Sequence, residues 1–295
     1  MDIANRIETA LEGVVQRAQR DSTGDGRAAP PKLASALRHA VFPGGARVRP
    51  QLCLAVAKAC GDDAPGLSDA AAAAIELLHC ASLVHDDLPM FDNADLRRGL
   101  PSAHAAFGEP VALLTGDALI VAAFEALARA GASRPERALS LTKIVARSVG
   151  APHGIVAGQA WESEPAADLA AYQRAKTGIL FEGATVAGAV SAGGDPGPWR
   201  ALGARLGDAY QVADDIRDVV CDETDLGKPQ GQDAALDRPS VVASLGMMGA
   251  VKMLRAQVQE AVDSIPPCDG AERLRDLVRM QAERLTPKSL AASAA

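Results

Sequence analysis

HCASLVHDDLPMFDNADLRR, residues 79–98, places Asp86, Asp87 and Asp92 at the mouth of a helix and follows them with Arg97 and Arg98. Carboxylates this close repel one another and raise each other's pKa unless a cation sits among them. Magnesium takes oxygen from one or two carboxylates and completes its shell with water and substrate phosphate. An anion-binding arginine pair directly beside a metal-binding acid cluster therefore points to a metal-chelated diphosphate. The preceding run, AAAAIELLHCASLV, is apolar and helix-forming, so these acids close a buried helix and need partners.

A near twin lies downstream. Gln211, Asp214, Asp215 and Asp218 stand at offsets of three, four and seven, a spacing that lets all four share one helical face. Either cluster taken alone reads first as a solvated acidic face. The second also ends an apolar segment, ALGARLGDAYQVA, which argues against that reading for both. If the two helices face across a cavity, both clusters serve one diphosphate.

The rest of the chain bounds the setting. Its 295 residues contain no linker; the sharpest shifts in composition, DSTGDGRAAPPK at 21–32 and GDPGPW at 194–199, read as loops. Apolar residues make up 48% but aromatics only 3%, and the bulk is alanine, leucine and valine, which favours an all-α fold. The net charge of −7 excludes a broad basic nucleic-acid surface. Five scattered cysteines without a CxxC pair read as reduced thiols of a cytoplasmic protein. The first twenty residues form an amphipathic helix without a hydrophobic signal region, and no apolar run is expected to reach a membrane span, GATVAGAVSAGG at 183–194 being glycine-broken.

Periodicity and breakers predict helices over Lys32–Val41, from Ala46 to about Cys60, Leu67–Asp87 with Ser68 as N-cap and Pro89 as the stop, Pro110–Ala130, Pro135–Val149, Asp168–Ala192, Trp199–Asp218, 247–263 and 270–285. That is ten or more helices with the first, and no strand. Gly44 and Gly45 let backbone, Arg47 and Arg49 approach a ligand. His79 lies seven residues before Asp86, roughly 10 Å along the same face, either as a ligand or as a satisfied core histidine. Lys176, in an apolar helix, either faces an anion or pairs with an acid of the chain.

GGARVRP, HCASLVHDDLPMFDNADLRRG, TGDALI, GQ, KTG, QVADDIRD and LGKPQGQD together resemble, in order and over most of the chain, the head-to-tail trans-isoprenyl diphosphate synthases. GGARVRP, GQAWESE and DRPS look most like bacterial carotenoid-pathway geranylgeranyl diphosphate synthases. The resemblance implies the isoprenoid synthase fold, a single domain over 1–295 built around a deep central cavity, and a homodimer. It implies about three magnesium ions, held by Asp86, Asp87, Asp92, Asp214, Asp215 and Asp218, with Asp87 and Asp215 in support. Arg97, Lys176, Thr177, Gln211 and Lys228 would hold the allylic diphosphate, and Arg49, His79 and Arg98 the isopentenyl diphosphate; Asp86, Asp87, Asp92, Lys176 and Asp214 would carry the catalysis. Two residues depart from the pattern: Ala46 stands where the family usually has lysine, with Arg47 beside it as a partial replacement, and Leu100 stands where a lysine commonly follows RRG.

Ala81 and Ser82, one turn before Asp86, are the first residues a growing chain would meet. Related synthases that stop at farnesyl diphosphate usually carry an aromatic there, so small residues imply geranylgeranyl diphosphate. The alternatives are a farnesyl diphosphate synthase and a non-catalytic partner subunit, the latter because of Ala46 and Leu100. A terpene cyclase fits less well, since it needs an aromatic-lined pocket. A metal phosphohydrolase would rest on His85-Asp86 alone.

Overall fold

The computed structural model describes residues 2–20, 27–42, 44–164, 169–220 and 240–285. Contacts between Cα atoms gather these into two compact units, one of 1–145 with 187–195 and one of 146–186 with 196–295.

In the first unit, α1 (Ile3–Gln19) buries Ile7, Leu11, Val14 and Val15, a single helical stripe. It is followed by α2 (Pro31–Val41), α3 (Val48–Ala59), α4 (Pro65–Asp86), α5 (Ala103–Phe107), α6 (Glu109–Ala130) and the start of α7 (Pro135–Val149). Helix α4 is the centre of this unit, buried almost without interruption from Leu67 to Leu78, and it packs along α6 and against α3 and α1. Its alanines let neighbours approach closely, while each buried Leu or Ile contributes about 1.5–3 kcal/mol.

Ser68 is not the N-cap of α4. The helix starts at Pro65, whose missing N–H costs nothing in the first turn, and Ser68 is buried with its hydroxyl donating to Asp62 Oδ1 at 2.5 Å. The expectation of no strand is also corrected. Leu96–Arg97 and Leu100–Pro101 pair as a two-residue antiparallel ladder, closed by Arg98 and Gly99 at φ 54° and 76°. Two successive left-handed residues make the tight turn that matches strand twist, a signal hidden here because the first is arginine rather than asparagine or glycine.

The second unit holds the end of α7, α8 (Ile155–Trp161), α9 (Leu169–Gln173), a π-helical turn (Arg174–Gly178), the first part of α10 (Ile179–Ser191), α11 (Arg200–Val220), α12 (Val241–Asp263) and α13 (Ala271–Leu285). Its core joins Ala209, Val212, Ala213 and Ile216 of α11 to Ala250, Val251 and Leu254 of α12. Helix α12 begins six residues before the expected 247, but it breaks at Gly246 (φ 68°), so the periodic pattern becomes readable only beyond that kink.

Among the described residues, three helices are long and apolar enough, by length and composition alone, to cross a membrane: Pro65–Asp86, Glu109–Ser133 and Val241–Asp263. This corrects the expectation that no apolar run reaches that length. Alanine raises mean hydropathy without adding bulk, and 78% of the window in Pro65–Asp86 is buried inside the protein.

Candidate active site

In the first unit, Asp86 ends α4 and the chain turns back on it at once. Asp92 N–H donates to the Asp86 carbonyl at 2.9 Å, Ala94 N–H to that of Asp87 at 3.1 Å and Asn93 N–H to that of Leu88 at 3.1 Å. This folded loop brings one carboxylate oxygen of Asp86 and one of Asp92 within 4.8 Å of each other. Asp87 points elsewhere. It is buried, and Arg97 Nε donates to its Oδ1 at 2.9 Å and its Oδ2 at 3.2 Å, with Nη2 adding a further close contact. Burial pushes the Asp87 carboxyl above its ordinary value, and Arg97 opposes that shift. The resemblance sent Asp87 to metal and Arg97 to substrate; in the structure they face each other, a pairing that spacing alone did not reveal.

Arg98, the other half of the arginine pair, is exposed on the turn of the hairpin. A Cβ on Gly45 would lie 2.8 Å from its guanidinium carbon, so the glycine of GGARVRP makes room for an arginine fifty-three residues away. Arg49 Nη1 lies 3.4 Å from His79 Nε2. Burial drives the His79 pKa well below the ordinary value, and Arg49, Arg98, Arg97 and Arg47 push it further down, so the imidazole stays neutral among cations. Of these four arginines Arg97 is taken by Asp87, which leaves Arg49 and Arg98 beside the neutral ring as the cations that could meet an anion.

Arg47 is not part of it. Its Nε donates to Glu8 at 2.9 Å, its Nη1 to Glu76 at 2.8 Å and its Nη2 to the Val41 carbonyl at 2.8 Å. The guanidinium is therefore committed to α1, α2 and α4, and the expectation that it partly replaces the lysine missing at Ala46 is corrected. Burial works against its charge, but Glu76 and Glu8 outweigh that and hold its pKa above the usual value.

Two small residues finish this unit's picture. Ala81 is fully buried, and Ser82 is half-buried with Oγ donating to the His79 carbonyl at 2.8 Å. Gly116, from TGDALI, is needed for His85: a Cβ there would sit 2.0 Å from the His85 Nε2, which lies 3.2 Å from the Leu113 carbonyl.

In the second unit, Lys176, Thr177 and Gly178 occupy the π-helical turn, an element that recurs at functional sites. Glycines press on it from two helices, since a Cβ on Gly158 would lie 2.5 Å from the Lys176 nitrogen and one on Gly207 2.5 Å from the Gly178 Cα. Lys176 Nζ donates to Glu162 Oε1 at 2.5 Å, as does the Tyr172 hydroxyl at 2.6 Å, while Gln159 Nε2 donates to Glu162 Oε2 at 3.0 Å. Of the two readings of Lys176, an acid partner within the chain is the one observed. Sequence reasoning did not single out Glu162, although it lies in the quoted GQAWESE.

The second acid cluster keeps its one-face spacing on the unbroken α11, but its members differ in burial. Asp215 and Asp218 are buried, Gln211 is half-buried and Asp214 is exposed. Thr177 Oγ1 donates to Gln211 Oε1 at 3.4 Å, Gln211 Nε2 donates to Asp215 Oδ1 at 3.1 Å, and Val241 N–H donates to Asp215 Oδ2 at 2.7 Å. Asp218 Oδ1 is buried and has no hydrogen-bond partner among the described residues. Lys228 lies outside the described residues.

These donors suit a hard divalent cation. They are carboxylate oxygens throughout, and an unsatisfied buried oxygen such as Asp218 Oδ1 costs about 1–3 kcal/mol unless something such as a cation meets it. A family model for polyprenyl synthetase matches residues 30–274. The chain belongs to the polyprenyl synthetase family.

Within that family it is 54% identical over 292 residues to a geranylgeranyl diphosphate synthase of Cereibacter sphaeroides, covering 99% of both chains. It is 37% identical to a farnesyl diphosphate synthase of Geobacillus stearothermophilus, covering 86% of each. Among solved structures, a Helicobacter pylori geranyltransferase complexed with magnesium and isoprenyl diphosphate aligns with TM-score 0.80 and 29% identity over 96% of both chains. That alignment agrees with the predominantly helical architecture of the chain. Leu100, where the family commonly has lysine, pairs across the hairpin with Arg97.

Proposed function

We propose that the chain joins isopentenyl diphosphate to an allylic diphosphate, head to tail, and that its main product is geranylgeranyl diphosphate. The observation that carries this is the Asp86–Asp92 carboxylate pair in the same unit as the Arg49–His79 contact, in a chain 54% identical over 292 residues to a geranylgeranyl diphosphate synthase. Asp86, Asp92, Asp214 and Asp218 hold magnesium, which when bound neutralises negative charge on the departing diphosphate. Lys176, Thr177 and Gln211 orient the allylic diphosphate, while Arg49, His79 and Arg98 hold isopentenyl diphosphate. The allylic carbon–oxygen bond breaks with its electron pair on diphosphate, the double bond of isopentenyl diphosphate attacks the allylic cation, and the released diphosphate takes the proton that restores a double bond. Fixed cations positioned for charge that grows only as the bond breaks are the main protein contribution.

One domain spanning the chain, a cytoplasmic location and a role supplying carotenoid synthesis belong to the same reading. A homodimer is supported by α6, which leaves the large apolar side chains of Leu113, Leu114 and Val121 exposed. The direct test is incubation with isopentenyl diphosphate, magnesium and dimethylallyl, geranyl or farnesyl diphosphate in turn, with products separated by chromatography. A C20 product from each primer is expected; accumulation of farnesyl diphosphate gives the shorter-chain alternative, and no product from any primer overturns the reading.

Two substitutions probe its finer parts. Ala46→Lys adds a charge to an exposed position that Arg47 does not cover, and a charge-assisted contact worth about 1.5–3 kcal/mol lowers KM for isopentenyl diphosphate about tenfold or more, with the allylic KM unchanged. An unaltered KM means Arg98 and Arg49 already saturate that site. Ala81→Tyr shortens the product to farnesyl diphosphate and, because Ala81 is fully buried, costs about 1–3 kcal/mol of stability from overpacking. Unchanged product from a folded variant removes Ala81 from chain-length control.

A further inference from the structure

The second acid cluster holds three aspartates in three different situations. Asp214 is exposed, Asp218 has a buried oxygen without a partner among the described residues, and Asp215 is buried with hydrogen bonds to both oxygens. The donors to Asp215 come from two elements. Gln211, one turn back on α11, reaches Oδ1, and the backbone N–H of Val241, the first residue of α12, reaches Oδ2 at 2.7 Å. Ser240 caps the same helix by accepting from Ala243 N–H, so the two acceptors satisfy different amides of the first turn. A carboxylate among the open N–H groups at a helix start is favoured by hydrogen bonding and by the helix dipole together. On the other side, Gln211 accepts from Thr177 in the π-helical turn beside Lys176. Thr177, Gln211, Asp215 and Val241 thus form a continuous relay from that turn to the start of α12.

We propose that Asp215 is a positioning residue rather than a magnesium ligand: it ties the N-terminus of α12 to the turn that carries Lys176 and Thr177, leaving Asp214 and Asp218 as the ligands of this cluster. The proposal deepens the prenyl-transfer reading and rests on it for the roles of Lys176 and Thr177, while the contacts of Asp215 themselves are independent of it. An asparagine at this position keeps an oxygen to accept from Val241, and a turned Gln211 can accept from its amide, whereas an alanine keeps neither bond.

The test compares Asp215→Asn, Asp215→Ala and Asp218→Asn with the parent. Amide hydrogen exchange at Val241 is read first, on metal-free and substrate-free protein. Loss of one charge-assisted bond speeds exchange there about tenfold in Asp215→Ala, and Asp215→Asn recovers most of the protection. Magnesium half-saturation is read next by titration calorimetry in the presence of an allylic diphosphate. Asp218→Asn raises it about tenfold or more, Asp215→Asn about twofold or less. Asp215→Asn raising magnesium half-saturation as far as Asp218→Asn overturns the proposal, and so does unchanged Val241 exchange in Asp215→Ala. Because the exchange arm involves neither metal nor substrate, its failure is distinct from a failure of the parent chain to transfer prenyl groups.

Discussion

Asp86→Ala lowers prenyl transfer by about a hundred- to a thousandfold, the range seen when one preorganised electrostatic group is removed from an active site. The loss falls on chemistry rather than folding. Asp86 ends α4, alanine is the best helix former, and its carboxylate lies within 4.8 Å of that of Asp92, so its removal relieves like-charge repulsion in the metal-free chain. Metal-free Tm therefore holds or rises while turnover collapses, and raising magnesium does not restore the rate. Turnover within a few-fold of the parent rejects Asp86 as a ligand; a large fall in helicity by circular dichroism rejects the assignment of the loss to chemistry.

Arg47→Ala has the largest expected effect on stability. It strands Glu76, which is 2% exposed, and removes the donors to Glu8 and to the Val41 carbonyl. Breaking one side of a buried ion pair typically costs about 3–5 kcal/mol. At about 2–4 °C per kcal/mol, the scale for domains of 150–250 residues, Tm falls by about 6–20 °C. The paired replacement Arg47→Met with Glu76→Leu regains most of the loss, because what destabilises is the uncompensated charge rather than the missing pair. A Tm change under about 2 °C in Arg47→Ala shows that Glu76 has found another partner.

The sequence displayed the helices well, because alanine-rich amphipathic segments carry strong period and strong propensity. Their ends were less legible where tertiary contacts decide them. Ser68 looks like a cap by residue type, yet Asp62 claims its hydroxyl from outside the helix. The hairpin at Leu96–Pro101 depends on an arginine in a left-handed conformation, which no propensity favours. The acid clusters were visible as clusters, but not which of their members are spoken for. Asp87 and Asp215 are matched by Arg97 and by Val241 N–H, partners ten and twenty-six residues away, and such pairings are set by the packed backbone rather than by local spacing. Arg47 shows the same limit, since its nearest anions in space, Glu8 and Glu76, lie thirty-nine and twenty-nine residues away in the chain.

The loop after α4 acts as a gauge. The Asp92 N–H closes a ring onto the Asp86 carbonyl while Asn93 and Ala94 close two more onto Leu88 and Asp87, so the distance between the two carboxylates is written in the number of residues between them. A homologue one residue longer or shorter here would not slide Asp92 slightly; it would lose three bonds at once and need a different loop. Side-chain exchanges at Met90 and Phe91, both exposed, leave the ring intact. Insertions and deletions between positions 87 and 92 are therefore the changes to which this part of the chain is least tolerant, and libraries built on the scaffold gain most by varying composition there at constant length.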